Sequence, residues 1–386
     1  MTATPALRPL PVPAGEAVLG LLGPLAEALA GGTPLMPYAV GTPVPVPSAT
    51  PLRGTALVVG TSGSTGRPKL AMLAPTALLT SANATHEVLG GPGQWLLPMP
   101  AHHIAGLQVL VRSIAAGTTP EVQDLANGFT PAGFVAATTR LTAARRYTAL
   151  VPTQLARLVA DPAAAAALTC YDAVLVGGAA TSPALLRQAE AAGVTAVTTY
   201  GMSETAGGCV YAGRPLPCSR VRLSDDSRVQ LGGETLALGY LGDPELTAHA
   251  FTTDRDGSRW FTTDDVGHQG RDGRWHVDGR VDDLINTGGL KVAPRVVEEA
   301  IAEHLPEAAD VVVVGTSDPQ WGQAVSAVIV LRNLGTEPTP TVSDVRSRLR
   351  GILPDHALPQ RLLVVPAIPL RGPGKPDRAA VAALFA

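Results

Sequence analysis

The chain has 386 residues, room for two or three domains, and is 46% hydrophobic against 16% charged. That composition supplies a sizeable core and excludes a disordered chain. A formal net charge of −3 offers no basic excess for nucleic acid or an anionic membrane surface. Cys170, Cys209 and Cys218 are odd in number and lack the paired spacing of a metal site, which suits a reducing cytoplasm better than a disulfide scaffold.

The N-terminus, MTATPALRPLPVP, is interrupted by proline before an apolar run develops, so no signal peptide is expected. No stretch approaches the roughly 20 apolar residues of a spanning helix, so no integral membrane association is expected either. The first 50 or so residues are Pro- and Gly-rich around one apolar helical stretch, 17–30. From residue 54 short β-like runs alternate with helical ones. TALVVG (55–60) and WLLPMP (95–100) read as strands, and HIAGLQVLVRSIAAG (103–117) reads as a helix with Leu107, Leu110 and Ile114 on its core stripe. YTALVPTQLARLVA (147–160), AVLVGGAA (173–180), LLRQAEAAG (185–193) and TAVTTYGMSE (195–204) continue the rhythm of an α/β architecture with a largely parallel sheet. Residues 221–281 change texture to short alternating segments between turn signals, which predict a small antiparallel β subdomain. Beyond it, a helix near Pro294, strands 311–315, 324–331 and 362–366, and a helix over 343–353 predict a small α+β domain. The division expected is a large domain, 1–281, and a small mobile C-terminal domain, 282–386.

Of the 29 Lys plus Arg side chains only Lys69, Lys291 and Lys375 are lysines, in a chain whose Ala-rich runs point to a G+C-driven drift toward arginine. A compact ammonium and a planar guanidinium are not interchangeable beside a phosphate. Lys69 closes TSGSTGRPK (61–69), which directly follows the strand TALVVG. Glycines among small hydroxyl residues let backbone N–H groups converge on an anion, although no Gly-Lys-Ser/Thr closes the loop as in a P-loop. Read alone, the segment is a phosphate cradle or a polar turn.

TSGSTGRPK resembles the signature loop of the adenylate-forming superfamily, which includes acyl- and aryl-CoA ligases and peptide-synthetase adenylation domains. Further blocks follow in that family's order. The resemblance implies ATP, Mg²⁺ and CoA as cofactors and an acid–thiol ligase acting through an acyl-adenylate. It assigns the ATP loop to Thr61, Ser62, Gly63, Ser64, Thr65, Gly66 and Lys69. YGMSET (200–205) resembles the next motif, with Glu204 holding Mg²⁺ and Thr205 contacting phosphate. A single carboxylate plus substrate phosphates suits that hard cation. The same segment shares the Gly and Ser of G-x-S-x-G but lacks its last glycine. GGAA (177–180) resembles the loop against adenine, with Gly178 letting backbone approach the ring. WFTTDDVG (260–267) puts Asp265 at the ribose-binding aspartate and carries Asp264 where glycine is usual. In GRVDDLINTGGLKVAP (279–294), Arg280 resembles the arginine at the ribose, Asp282 the hinge, and Gly288 and Gly289 the loop lining the CoA channel. Lys291 could face the CoA phosphates, and a surface role fits it equally well. LRGPGKPDR (370–378) resembles the C-terminal motif, with Lys375 as the catalytic lysine.

PMPAHHIAGLQVLVRS (98–113) resembles the Pro-x-x-His-x-x-Gly block, with His103 at the catalytic His position beside the acyl substrate. That block, the compact length and YGMSETAGGCVYAGRPL (200–216) resemble, within the family, an aryl-CoA ligase whose acid has two carboxylates. One carboxylate is activated and the other stays ionised, so the pocket needs a compensating donor or cation. The run Ala206–Gly208, including Gly207 and Gly208, is expected to make room for the ring, and His102, Arg112 and Arg214 are candidates for the second carboxylate. Three rivals stay open: another acyl- or aryl-CoA ligase, a carrier-protein-loading adenylation enzyme, and a non-catalytic adenylate-binding module. Relatives have a longer N-terminal portion, so part of that subdomain is expected to be absent; a homodimer is left open.

Overall fold

A computed structural model describes residues 6–47, 49–61, 69–332, 339–371 and 375–386, with the backbone alone of Arg371 and Lys375. Two mixed sheets organise the first 240 residues. One has five strands in the order Arg8–Val12, Leu35–Ala39, Leu57–Gly60, Leu70–Leu73 and Gly239–Tyr240, parallel up to Leu57–Gly60 and antiparallel beyond it. The other has seven, in the order Arg214–Pro215, Gly207–Tyr211, Ala196–Met202, Ala173–Val176, Arg146–Leu150, Gln94–Leu97 and Glu121–Val122. Its first two junctions are antiparallel and the rest parallel. The expected strand 95–100 therefore stops at Leu97, ahead of Pro98 and Pro100.

Helices Pro75–Val88 and Ile104–Ala116 fill the space between the sheets. Leu57, Val59 and Leu73 of one sheet and Trp95, Leu97 and Tyr147 of the other join Leu78, Leu107 and Leu110 in one apolar cluster. The opposite face of the seven-stranded sheet is covered by Pro131–Thr138, Pro152–Val159, Pro162–Leu168 and Pro183–Ala191, whose Phe134, Leu155, Leu168 and Ala189 pack on Leu96, Val174 and Val176. Each of these four begins with proline, whose missing N–H costs nothing in a first turn. Thr130, Asp161 and Ser182 cap three of them through their side-chain oxygens. The apolar stretch 17–30 is a 3-10 segment, Gly15–Leu21, running into helix Leu22–Leu29, and the proline-bearing segments either side of it are strands.

Residues 219–280 form the antiparallel sheet expected there, Ser219–Leu223, Arg228–Gly233, Arg259–Gln269 and Phe251–Thr253, with Trp275–Arg280 also paired to Arg259–Gln269. A 3-10 turn, Val281–Asp283, leads out of it. The remaining residues build a sheet of Leu290–Val292, Ile285–Thr287, Gly322–Leu331 and Ala308–Asp318, with Arg361–Val364 parallel to Gly322–Leu331. This region has its own core, in which Val297 and Ile301 of helix Pro294–His304 and Val345 and Leu349 of helix Val342–Leu349 pack on Val313, Val325 and Ile329. The second of those helices is shorter than its expected span, 343–353, because Arg350 turns to extended backbone ahead of Gly351 and Pro354. Among the described residues no helix is long and apolar enough to cross a membrane.

Candidate active site

The glycine loop is the connection of a hairpin. Strands Leu57–Gly60 and Leu70–Leu73 pair with Gly60 opposite Leu70, and the Thr61 N–H donates to the Lys69 carbonyl at 2.8 Å. Thr61 and Lys69 thus face each other at the loop base, while Ser62, Gly63, Ser64, Thr65 and Gly66 lie outside the described residues. Lys69 Nζ stands 5.8 Å from the centroid of the Tyr240 ring, and the Tyr240 hydroxyl donates to Glu204 Oε1 at 2.8 Å. Tyr240 arrives there because its two-residue strand pairs with Leu70–Leu73. Glu204 is 5% exposed. Burial pushes its carboxyl up, against the Tyr240 hydrogen bond and the Lys69 charge, which favour the anion.

Glu204 belongs to the 3-10 turn Ser203–Thr205, which Ala206 ends in a left-handed conformation at φ 52°. Two buried side chains hold that strained position: Gln108 Nε2 donates to the Ala206 carbonyl at 2.6 Å and Ser81 Oγ at 3.3 Å. The Thr205 side chain is fully buried inside the turn, accepting from the Met202 N–H at 3.0 Å and donating to the Gly207 carbonyl at 2.8 Å. Ser203, not singled out from the sequence, is the hydroxyl whose Oγ reaches the loop base, 3.4 Å from the Gly60 carbonyl oxygen. Its position immediately before the acid was the available signal.

A second, half-buried tyrosine holds the other carboxylate. Tyr200 donates to Asp265 Oδ2 at 2.7 Å, and burial pushes the Asp265 carboxyl up while this bond and Arg280 oppose the shift. Asp265 and Arg280 are register partners on adjacent strands, with Nη1 and Oδ1 3.8 Å apart. Arg280 also faces Asp264 at 3.4 Å and Asp282 at 3.6 Å. Asp264 is further paired with Arg228 at 2.6 Å, so the acid at the usual glycine position binds two arginines where the register between its strand and Arg228–Gly233 shifts. On the adenine-loop side, Gly178 has φ 78°, and its neighbour Gly177 is the closer fit, because a Cβ there would collide with Thr199 Oγ1.

His103 is the N-cap residue of helix Ile104–Ala116, and its ring lies 4.2 Å, centroid to centroid, from that of His102. Burial, reinforced by His103, pulls His102 down to about 4. Gly106 lets the helix start against the Pro100 carbonyl, where a Cβ would collide. Arg112, on the same helix, is 3% exposed; its Nη2 donates to the Tyr211 hydroxyl at 3.2 Å and its guanidinium lies 4.9 Å from the Trp95 ring centroid. The space beside Gly207 and Gly208 is taken up by packing. A Cβ on Gly207 would stand 3.1 Å from Gln108 Cγ, and one on Gly208 2.9 Å from Tyr211 Cε1. Arg214 is exposed on the edge strand Arg214–Pro215.

Gly288 and Gly289, at φ 59° and 80°, form the two-residue turn joining Ile285–Thr287 to Leu290–Val292. The Gly288 N–H donates to the Trp321 carbonyl at 2.8 Å. Lys291 is exposed and lines a cavity of about 410 Å³ between Val266, Gly267 and Asp278 on one side and Val292, Val297 and His356 on the other, away from Glu204. The backbone of Lys375 pairs with Arg371 in a short hairpin. Just after it, Arg378 binds Glu298 at 2.8 Å and approaches Asp283 at 3.8 Å, tying the C-terminal segment to the turn that contains Asp282. Among the described residues no group of three or more His, Cys, Asp or Glu side chains could cage a metal unaided.

A hairpin-borne glycine loop with a buried acid at its base, in a layered α/β body followed by a separate α+β core, is the arrangement of a nucleotide-using enzyme. Residues 17–241 match the family described as AMP-binding enzyme, residues 296–375 match the AMP-binding enzyme C-terminal domain, and the chain belongs to this family. A probable 2-succinylbenzoate–CoA ligase of Mycobacterium tuberculosis (strain CDC 1551 / Oshkosh) is 45% identical, covering 98% of this chain and 99% of the relative. The amide bond synthetase McbA from Marinactinospora thermotolerans superposes with a TM-score of 0.78 at 25% identity, over 100% of this chain and 90% of that one. The o-succinylbenzoate CoA synthetase (MenE) from Bacillus subtilis, in complex with the acyl-adenylate intermediate OSB-AMP, shares the fold with a TM-score of 0.71 at 20% identity, over 98% and 88%.

Proposed function

We propose that the protein is an ATP-dependent, AMP-forming CoA ligase that converts o-succinylbenzoate to o-succinylbenzoyl-CoA, a step of menaquinone biosynthesis. The observation that carries the reading is the meeting of Lys69, Tyr240 and the buried Glu204 at the base of the glycine loop. The choice of acid is supported by the 45% identity to a probable 2-succinylbenzoate–CoA ligase over nearly the full length of both chains.

In the first half-reaction the loop 61–69 cradles the ATP phosphates, with Ser203 beside it, Asp265 and Arg280 hold the ribose, and Gly178 lies against adenine. Glu204 would hold Mg²⁺, which would offset phosphate charge; a lone carboxylate beside a phosphate loop fits that hard cation. A substrate carboxylate oxygen attacks the α-phosphorus beside His103, the bond to pyrophosphate breaks, and Lys375 neutralises the charge that builds up. In the second, the domain 282–386 turns about Asp282, withdraws Lys375 and brings Gly288, Gly289 and Lys291 toward CoA. The thiol, losing its proton, attacks the acyl carbon, and AMP leaves.

CoA-dependent AMP release across a panel of aromatic and aliphatic acids tests this reading. The highest kcat/KM is expected for o-succinylbenzoate, and preference for an aliphatic monoacid, or no AMP release with any acid, overturns it.

A further inference from the structure

Arg259 opens the strand Arg259–Gln269 that carries Asp265, and its charge faces backbone oxygen rather than acid. Nη1 donates to the Ala237 carbonyl at 2.5 Å and Nη2 to the Leu238 carbonyl at 2.8 Å, while the guanidinium lies 4.6 Å from the centroid of the Phe251 ring. The side chain is half-buried, and among the described residues no carboxylate forms an ion pair with it. Burial disfavours its charge, and no neighbouring acid offsets that cost.

The segment under this fork touches Glu204 twice. The Ala237 N–H donates to the Glu204 carbonyl at 2.8 Å, and the Tyr240 hydroxyl donates to the Glu204 carboxylate. Its other backbone ties are the Leu238 N–H on the Met72 carbonyl, at 2.8 Å, and the short pairing of Gly239–Tyr240 with Leu70–Leu73. The planar fork adds two charge-assisted bonds to successive carbonyls, each roughly twice as strong as a neutral one. Phe251, which carries the guanidinium on its ring, also meets the Tyr240 ring edge-on at 5.7 Å. Arg259, Phe251 and Tyr240 therefore pack in a row that ends at the Glu204 carboxylate. Accepting Glu204 as the acid that faces ATP in the reading above, we propose that Arg259 is a positioning residue of the nucleotide site. By holding 237–240 through two carbonyls it fixes the Tyr240 hydroxyl on Glu204, and so aims that carboxylate at the phosphate loop.

The test measures Mg·ATP binding to the full chain by calorimetry, with no acid present, for the wild type, R259M, Y240F and the double variant. Urea unfolding of each accompanies it. R259M is expected to raise the Kd on the order of 10-fold, to slow adenylation, and to spare thioester formation from supplied o-succinylbenzoyl-adenylate. In the Y240F background the same substitution is expected to change the Kd by less than about 2-fold, because the hydroxyl it positions is gone. R259K keeps the charge but not the fork, and its Kd is expected to fall between wild type and R259M. A wild-type Kd in R259M, effects of the two substitutions that add in full, or equal loss in both half-reactions overturns the inference. A merely structural arginine predicts the last two. Should R259M not fold, R259K with and without Y240F completes the same cycle, and a wild-type or fully additive Kd there overturns the inference too. A wild type that binds no Mg·ATP instead removes the reading of Glu204 on which this inference rests.

Discussion

Two arginines show opposite solutions to carrying charge. Arg280, at the rim where the β subdomain meets the turn Val281–Asp283, has a side chain 42% exposed and faces three carboxylates, Asp264, Asp265 and Asp282. Arg112, deep under strand Gly207–Tyr211, has a phenol, an indole face and no acid among the described residues. Water screens the first set, so each bond is weak and can be exchanged at little cost. The second charge is unscreened and fixed by packing.

The widest gap between packed interior and moving rim is expected at Lys375. Lys375→Ala should slow adenylation on the order of 10²–10³-fold and spare thioester formation from supplied acyl-adenylate. Single-turnover assays of each half-reaction measure this, and equal loss in both breaks the idea of a part that swings in for one step only. Next in size, Tyr211→Phe leaves the Arg112 guanidinium without its hydroxyl acceptor and should destabilise the fold by about 2–3 kcal/mol in urea unfolding. A neutral result there would mean that the buried cation finds another partner.

Glu204→Gln sharpens the contrast from the acidic side. The Glu204 carboxyl is raised by burial, so the folded state holds its proton more tightly than the unfolded chain does. Its contribution to stability therefore declines as pH rises from the ordinary carboxylate range through its raised value. The amide has no such decline. The variant should be more stable than the wild type at neutral pH, with the advantage fading toward acid, while Mg·ATP-dependent turnover is lost. A constant difference across pH contradicts the raised carboxyl. The smallest effect is expected for Asp264→Asn, under about 1 kcal/mol, because its partners Arg228 and Arg280 meet it at a solvent-exposed edge. Should it cost more than Tyr211→Phe, the ranking of rim and interior is inverted.

Much of the fold is legible where a short rule suffices. The apolar run of Leu57–Gly60 and the 3.6-residue stripe of Ile104–Ala116 announce themselves because neighbours in sequence are neighbours on one face. Strands Arg8–Val12 and Leu35–Ala39 do not, since Pro9, Pro11 and Pro37 read as breakers. Arg8–Val12 accommodates its prolines as an edge strand, where an N–H turned to solvent is not missed. Gly239–Tyr240 is too short to announce itself, yet its pairing with Leu70–Leu73 delivers Tyr240 to Glu204.

From the sequence alone come the kinds and order of the chemical groups: the glycine loop, the acids after it, the three lysines, and the periodicities that make layers and a separate C-terminal core. Tertiary structure alone decides which group stands against which. It turns Tyr200 and Tyr240 onto the two acids, closes the Thr205 hydroxyl inside its own turn, and buries Arg112 without a carboxylate. The reason is range. Backbone preference and side-chain periodicity act over a few residues, whereas the energy of a charge depends on the water it loses and on partners that fold in from a hundred residues away.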